Sequence, residues 1–293
     1  MVILEDLHNQ TSNQFVQFIH LSAYCKEHKI DFFHGKFINN YVKEYPALLI
    51  YQKSKINQLY LHLLSKIGRK LRILSIIWLD DDVLAEQYSK EVDLFKKRTV
   101  FCRGGRLRDN ASVEKHRDFF RKIFKPDVDT IKLAELYLDS KHPVLGLHVR
   151  RTDYATYERG MYFFDDDVYI KYAKKVQEFI GKCKVILFTD DKQINFSKYQ
   201  KELGNVVISR CSIAEDYYLM GRCNFLLSTN TTFTLVASYL GRSKLFRFMG
   251  PDEEIKTLNV FKECATLNHT EEEALRAELA RQAKFFNSIA TLL

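Results

Sequence analysis

Glycine is scarce in this chain, at 11 of 293 residues. No G-x-G-x-x-G run and no G-x-x-x-x-G-K-[ST] run occurs, so neither a dinucleotide-binding fingerprint nor a P-loop is written in it. G-x-S-x-G and H-E-x-x-H are also missing, which sets aside the nucleophile elbow and the helical zinc-protease site. The cysteines at 25, 102, 183, 211, 223 and 264 form no C-x-x-C pair and have no histidine at zinc spacing. Reduced thiols of a cytoplasmic protein are therefore expected. The most apolar segment, "LRILSIIWL" at 71–79, is far shorter than the roughly 20 residues of a membrane span. Glu5 and Asp6 stand where a secretory signal would be apolar, so none is expected. Any membrane association should then be peripheral, at the inner face.

Hydrophobic residues make up 46% and charged residues 28% of the chain, the balance of a soluble globular protein with core enough for two lobes. The net charge of +8 favours an acidic partner: a nucleotide, a phospholipid surface or nucleic acid. Basic residues gather in "KKRTVFCRGGRLR" at 96–108. That segment reads either as a solvated loop beside a strand or as a phosphate or membrane contact. Aromatics do not interleave with it as nucleic-acid stacking platforms would, so no nucleic-acid partner is expected.

"VILED", a polar stretch, the helix-periodic "FVQFIHLSAYCKEH" and "KIDFF" open the chain in βαβ order. Residues 37–70 read as helix and "LRILSIIWL" as strand, with further helices at 112–123 and 128–140. From 143 the alternation sharpens into strands at 143–149, 184–191, 205–210, 224–229 and 244–248, with helices between them. Repeated βα alternation predicts a parallel, doubly wound α/β sheet. The tail from Thr270, with Glu273 three residues on, has the form of a capping box opening a helix.

"GLHVRRTDY" at 146–154 ends an apolar strand in a histidine, two arginines and an aspartate. In open α/β sheets ligands bind at this carboxyl edge, and successive side chains there alternate in direction. His148 and Arg150 should share a side, with Arg151 turned away. Two readings are open: one solvated arginine plus one paired with Asp153, or a guanidinium fork on an anion. "ILFTDD" places Asp190 and Asp191 at the same edge. "LLSTNTTF" ends a strand in Ser228 and Thr229, and Asn230, Thr231, Thr232 and Phe233 then open a helix, a ready anion site. Arginine, hydroxyl-lined helix start and acid together suggest a nucleoside diphosphate. The "DDD" runs at 80–82 and 165–167 read as the acidic first turns of helices rather than as a D-x-D metal motif. Tyr157, Tyr162, Phe163 and Phe164 form either an acceptor platform or packing.

These residues resemble the fucosyltransferases that share an H-x-R-R-x-D motif, above all the family-11 α-1,2-fucosyltransferases. "LHVRRTDY" is similar to that family's first motif, "DYYLMGRCNFLLSTNTTFTLVASYL" at 216–240 to its second, and "TSNQFVQF" at 11–18 to its N-terminal G-x-G-N-Q-x-F-Q loop. Thr11 and Ser12 replace the glycines of that loop, and Leu235-Val236 replaces a Trp-Trp pair. "HVRRTD" and "TDD" also look like the α-1,6-fucosyltransferases. The resemblance implies a GT-B-like α/β fold of two Rossmann-like lobes with a cleft between them. Residues 1–140 would be the acceptor-side lobe, 141–260 the GDP-sugar lobe and 261–293 a helical tail. It implies GDP-fucose as donor, an oligosaccharide or lipid-linked glycan as acceptor, and no cofactor or metal. Arg150 would grip the pyrophosphate, His148 and Asp191 would lie near the guanosine, and Arg151 and Asp190 would also be on the donor. Thr231, Thr232 and the helix start would hold phosphate, with Asn230 and Phe233 also on the donor, and Asn13 and Gln14 would face the sugar or acceptor. Arg150 and Asp153 are the catalytic candidates. The general base is unassigned among Asp153, Glu215 and Asp216.

Overall fold

The structure, a computed structural model, describes residues 1–7, 10–54, 76–78, 95–96, 99–104, 107–139, 141–268 and 271–290, with residues 57, 63 and 66. The chain divides into two compact units, residues 1–127 with 265–267 and residues 128–264 with 268–293.

In the first unit, β1 (Val2–Leu4) pairs in parallel with β2 (Phe32–Phe33) and with β4 (Val100–Arg103), and β3 (Ile76–Trp78) pairs with β4. The sheet order is β2-β1-β4-β3. Helix α1 (Thr11–Glu27) is buried at every position from Gln14 to Cys25. Around it Phe15, Phe18, Phe37 and Phe124 pack with ring centroids 4.3–6.1 Å apart, mostly edge to face. The helix expected over 37–70 is much shorter: α2 (Gly35–Tyr41) stops, and a 3₁₀ turn follows at Pro46–Tyr51. Proline disfavours helical backbone in the residue before it, and Tyr45 accordingly sits at ψ 78°. Most of residues 55–75 lie outside the described residues. The helix expected at 112–123 is two, α3 (Asn110–Lys115), capped by the Asp109 carboxylate, and α4 (Arg117–Ile123), broken apart at His116.

The second unit follows the predicted alternation closely. α5 (Val128–Glu135) leads into β5 (Val144–Val149), and α6 (Asp166–Ile180) precedes β6 (Lys184–Thr189). α7 (Phe196–Leu203), β7 (Val206–Ile208), α8 (Ile213–Arg222), β8 (Phe225–Thr229), α9 (Thr232–Leu240) and β9 (Lys244–Phe248) follow, and α10 (Glu271–Ala290) is the last of the described helices. All pairings are parallel, in the order β7-β6-β5-β8-β9. Every residue of β5 is buried, as its two-sided apolar pattern requires. Its larger apolar side chains each contribute about 1.5–3 kcal/mol. Helix starts carry their own caps: Asp165 on α6, Asn195 on α7, a Ser212–Glu215 capping box on α8 and Thr231 on α9. The box expected at Thr270 falls on a residue outside those described. Gly221 at the end of α8 and Gly241 after α9 touch: a Cβ on Gly241 would lie 2.2 Å from the Gly221 Cα. Only two glycines permit that approach.

The sheet order makes the site. From β5 the chain moves outward to β6 and β7, then returns to the other side of β5 for β8 and β9. The reversal leaves a crevice outside the carboxyl ends of β5 and β8, where ligands bind in doubly wound sheets.

Candidate active site

β5 ends one residue before Arg150 and Arg151, β6 one residue before Asp190 and Asp191, and β8 one residue before Asn230. The parallel register sets His148 against Ser228 and Val149 against Thr189, so all three strand ends meet at one edge.

The two arginines take separate carboxylates, and neither is simply solvated. Arg150 spans Asp190 at 2.7 Å and Asp153 at 2.8 Å, with 31% of its side chain exposed. Its guanidinium also lies 5.8 Å from the Tyr154 ring centroid. Arg151 pairs with Asp166 at 2.5 Å and Asp191 at 3.4 Å, and Tyr199 Oη donates to the same Asp166 oxygen at 2.7 Å. Asp190 accepts from the Arg151 backbone N–H at 3.0 Å and from the Thr152 hydroxyl. Burial works against its charge, but the Thr152 and Arg151 hydrogen bonds and the Arg150 cation outweigh burial and hold the carboxyl below its ordinary range.

His148 is buried at 6% exposure. Burial, then the Arg150 cation, lowers its pKa to about 4, so the ring is neutral at pH 7. Its Nδ1 has no hydrogen-bond partner. The ring stacks on Phe233 at 5.5 Å, and Phe233 stacks on Tyr217 at 4.2 Å, making an aromatic wall from β5 across α9 to α8. A buried imidazole with an unused nitrogen beside stacked rings offers what a planar base needs, a stacking face and a polar atom.

Thr231 caps α9, its hydroxyl accepting from the Phe233 N–H at 3.2 Å, and Thr232 is the first residue of the helix. The remaining amides of the first turn and the positive end of the helix dipole suit an anion. Asn230 is clamped: its carbonyl accepts from Tyr154 Oη at 2.6 Å and its Oδ1 from Arg247 Nη1 at 3.4 Å.

Other candidates lie elsewhere. Glu215 is occupied by the capping box, and Asp216 is half-buried with the Ser209 hydroxyl 2.5 Å from its Oδ1. Burial raises the Asp216 pKa to about 7. Asn13 and Gln14 belong to the first unit and sit in the first turn of α1 rather than in a loop. Asn13 donates to Gln10 Oε1 at 2.9 Å, and Gln14 accepts from Tyr41 Oη at 2.5 Å. Of the two acidic runs, 80–82 lies outside the described residues. At 165–167 Asp165 caps α6, Asp166 holds Arg151 and Asp167 pairs with Lys198 at 2.7 Å. In the basic segment Arg103 pairs with Glu5 at 3.1 Å, while Lys97, Arg98 and Arg106 lie outside the described residues. Tyr162 and Phe164 are buried; Tyr157 and Phe163 are exposed. Among the described residues no three His, Cys, Asp or Glu side chains are grouped to hold a metal ion. No described helix is long and apolar enough to cross a membrane. The sequence reading missed Asp166, Tyr199 and Arg247, whose partners are 15 or more residues away. An arginine inside the apolar strand "KLFRF" was the one signal for the last.

The model of the family described as "Glycosyl transferase family 11" matches residues 44–257, most of the chain and all three strand ends of the site. This chain belongs to glycosyl transferase family 11. No curated protein sequence matches the glycosyltransferase. Among solved structures, an Arabidopsis thaliana FUT1 mutant in complex with GDP superposes at TM-score 0.51 with 11% identity, covering 92% of this chain and 75% of that one. POFUT1 in complex with GDP superposes at TM-score 0.52 with 9% identity, covering 83% and 97%. At such identities the likeness is one of fold, and the glycosyltransferase is GT-B-like: α/β, with a parallel sheet in each unit.

Proposed function

We propose that this glycosyltransferase is an inverting fucosyltransferase that takes fucose from GDP-fucose. The observation that carries the reading is the convergence of Arg150, a neutral His148 with an unused nitrogen and the α9 start at the β5/β8 crevice, in a chain of family 11. FUT1 and POFUT1, which share the fold, were both solved with GDP.

The acceptor hydroxyl attacks the fucose anomeric carbon from the face opposite the diphosphate. The carbon–oxygen bond to the β-phosphate breaks, GDP leaves with the electron pair, and the hydroxyl proton passes to a base. The departing charge is the main barrier, and donors fixed in place beforehand lower it most. Arg150 and the free amides of α9 meet the diphosphate, and His148, Phe233 and Asp191 take the guanosine side. Arg150 is already held by Asp153 and Asp190, so the diphosphate competes with these carboxylates for its N–H donors. Asp153 is the nearer in sequence and the more exposed, and in this reading it is the one that yields. Arg151, fixed by Asp166 and Asp191, shapes the edge rather than gripping the donor.

In this reading the acceptor is an oligosaccharide or lipid-linked glycan, received by the first unit near Asn13 and Gln14. The bond formed is α-1,2, to a 2-hydroxyl, within surface-polysaccharide synthesis. The net charge of +8 suits both the donor and an anionic membrane face. Calorimetric titration with GDP, GDP-fucose, GDP-mannose and UDP-sugars in EDTA tests the donor. Micromolar binding of GDP and GDP-fucose, without binding of UDP-sugars, is expected. Silence toward every guanosine ligand removes the reading, and an acceptor panel with product linkage analysis separates α-1,2 from α-1,6 transfer.

A further inference from the structure

We propose that Arg247 and Glu273 are positioning residues for the donor, bracing the Asn230–Phe233 turn from the C-terminal helix. The inference rests on the reading of that turn as the diphosphate site.

Arg247 stands in β9, paired in register with Ser228 of β8, and is 1% exposed. Its Nε and Nη2 donate to the two carboxylate oxygens of Glu273 on α10, at 3.0 and 2.5 Å. Its remaining terminal nitrogen, Nη1, reaches Asn230 Oδ1 at 3.4 Å. One turn further along α10, Arg276 donates to the Arg247 carbonyl at 2.9 Å and pairs with Glu253 at 2.5 Å. Helix α10 is thus fastened to β9 twice, and β9 to the turn through a single guanidinium.

A buried ion pair is weak grounds for stability, because an apolar pair of similar volume often packs as well. What an apolar pair lacks is the third arm. Arginine's rigid fork can hold a carboxylate with one edge and Asn230 with the other. Asn230 is the single residue between β8 and the α9 cap, so its placement sets where the α9 amides point. From the other side Tyr154, three residues after Arg151, grips the Asn230 carbonyl. The turn is held between the arginine motif in front and α10 behind. The family match ends at residue 257, so Glu273 is a contribution of this chain from beyond the matched span.

The test compares the full-length protein with the double variant Arg247→Met/Glu273→Leu, which keeps the volume and removes both charges. Calorimetry should show GDP affinity lower by about tenfold, with the melting temperature nearly unchanged. KM for the GDP-sugar should rise while KM for the acceptor stays put, a split that a general loss of packing does not give. Amide exchange over residues 229–233 should quicken even without nucleotide. If the double variant does not fold, Glu273→Gln keeps the shape and loosens the fork, with a smaller loss in the same direction. Wild-type protein that ignores GDP would overturn the donor reading and this inference with it. Wild-type binding matched by a folded variant, with exchange at the turn unchanged, overturns the bracing role alone.

Discussion

The second sheet reverses direction once, between β5 and β8, whereas among the described strands the first crosses from β2 to β3 and turns back to β4, and the carboxyl edges of the two central strand pairs are filled differently. In the first unit the edge is closed by its own bonds. Asp6 accepts from the Gly104 N–H at 2.8 Å, Gln17 donates to the Gly104 carbonyl at 2.9 Å, and Arg103 pairs with Glu5. In the second unit two arginines stand among four aspartates, and His148 beside them keeps a nitrogen unused. Each unit offers a carboxyl edge of parallel strands; the side chains decide whether a ligand can enter.

The sharpest way to break this comparison is to remove the arginine from each edge. Arg150→Ala should lower turnover by at least about a hundredfold, with the circular dichroism spectrum unchanged. Arg103→Ala should cost about 1 kcal/mol or less and leave turnover near wild type. Equal damage from both would mean that the edges do not differ in role.

Acid sharpens the contrast. In the first unit burial holds His20 and His34 at pKa values of about 3, while the unfolded chain takes those protons near 6.5. The unfolded state therefore binds more protons between those values, and stability falls as pH falls through that window. His148 acts with the same sign down to about pH 4. Asp216 acts with the opposite sign: its raised pKa of about 7 makes the folded state the better proton binder from pH 7 down to about 4, so stability rises there as pH falls. The first unit has no such offset among the shifted groups of its described residues. Hydrogen exchange at pH 7 and pH 4.5 should show α1 losing protection by about tenfold or more relative to β5 and β8. Parallel losses in the two units would count against the assignment.

The smallest expected effect tests the rivalry for Arg150. Asp153→Asn should tighten GDP binding by about threefold in calorimetry, because one carboxylate no longer competes for the guanidinium. Weaker binding would show that Asp153 helps hold the nucleotide instead.

Much of the second unit could be read from the sequence because its strands are covered on both faces and its helices begin with visible caps. "VLGLHV", "KVILFT" and "FLLST" left little choice, and their ends named Arg150, Asp190 and Asn230. The first unit was harder, since strands of two to four residues carry almost no periodicity, and Pro46 cut a segment that composition alone makes helical. Within the site, what stayed hidden was partnership. That Arg151 belongs to Asp166 and Arg247 to Glu273 depends on contacts across 15 and 26 residues, which no local pattern encodes.

The contact between Gly221 and Gly241 bears on how this protein can be altered. Helix α9 spans nine residues, about 13 Å, and its far end rests backbone to backbone against α8. It is a short lever with its pivot at the rear of the unit. A methyl group added at either glycine would tilt the lever and swing the Thr231 cap without touching any residue of the crevice. Libraries that vary only the lining residues would leave that control unused, and a search for altered donor choice has reason to include the pivot.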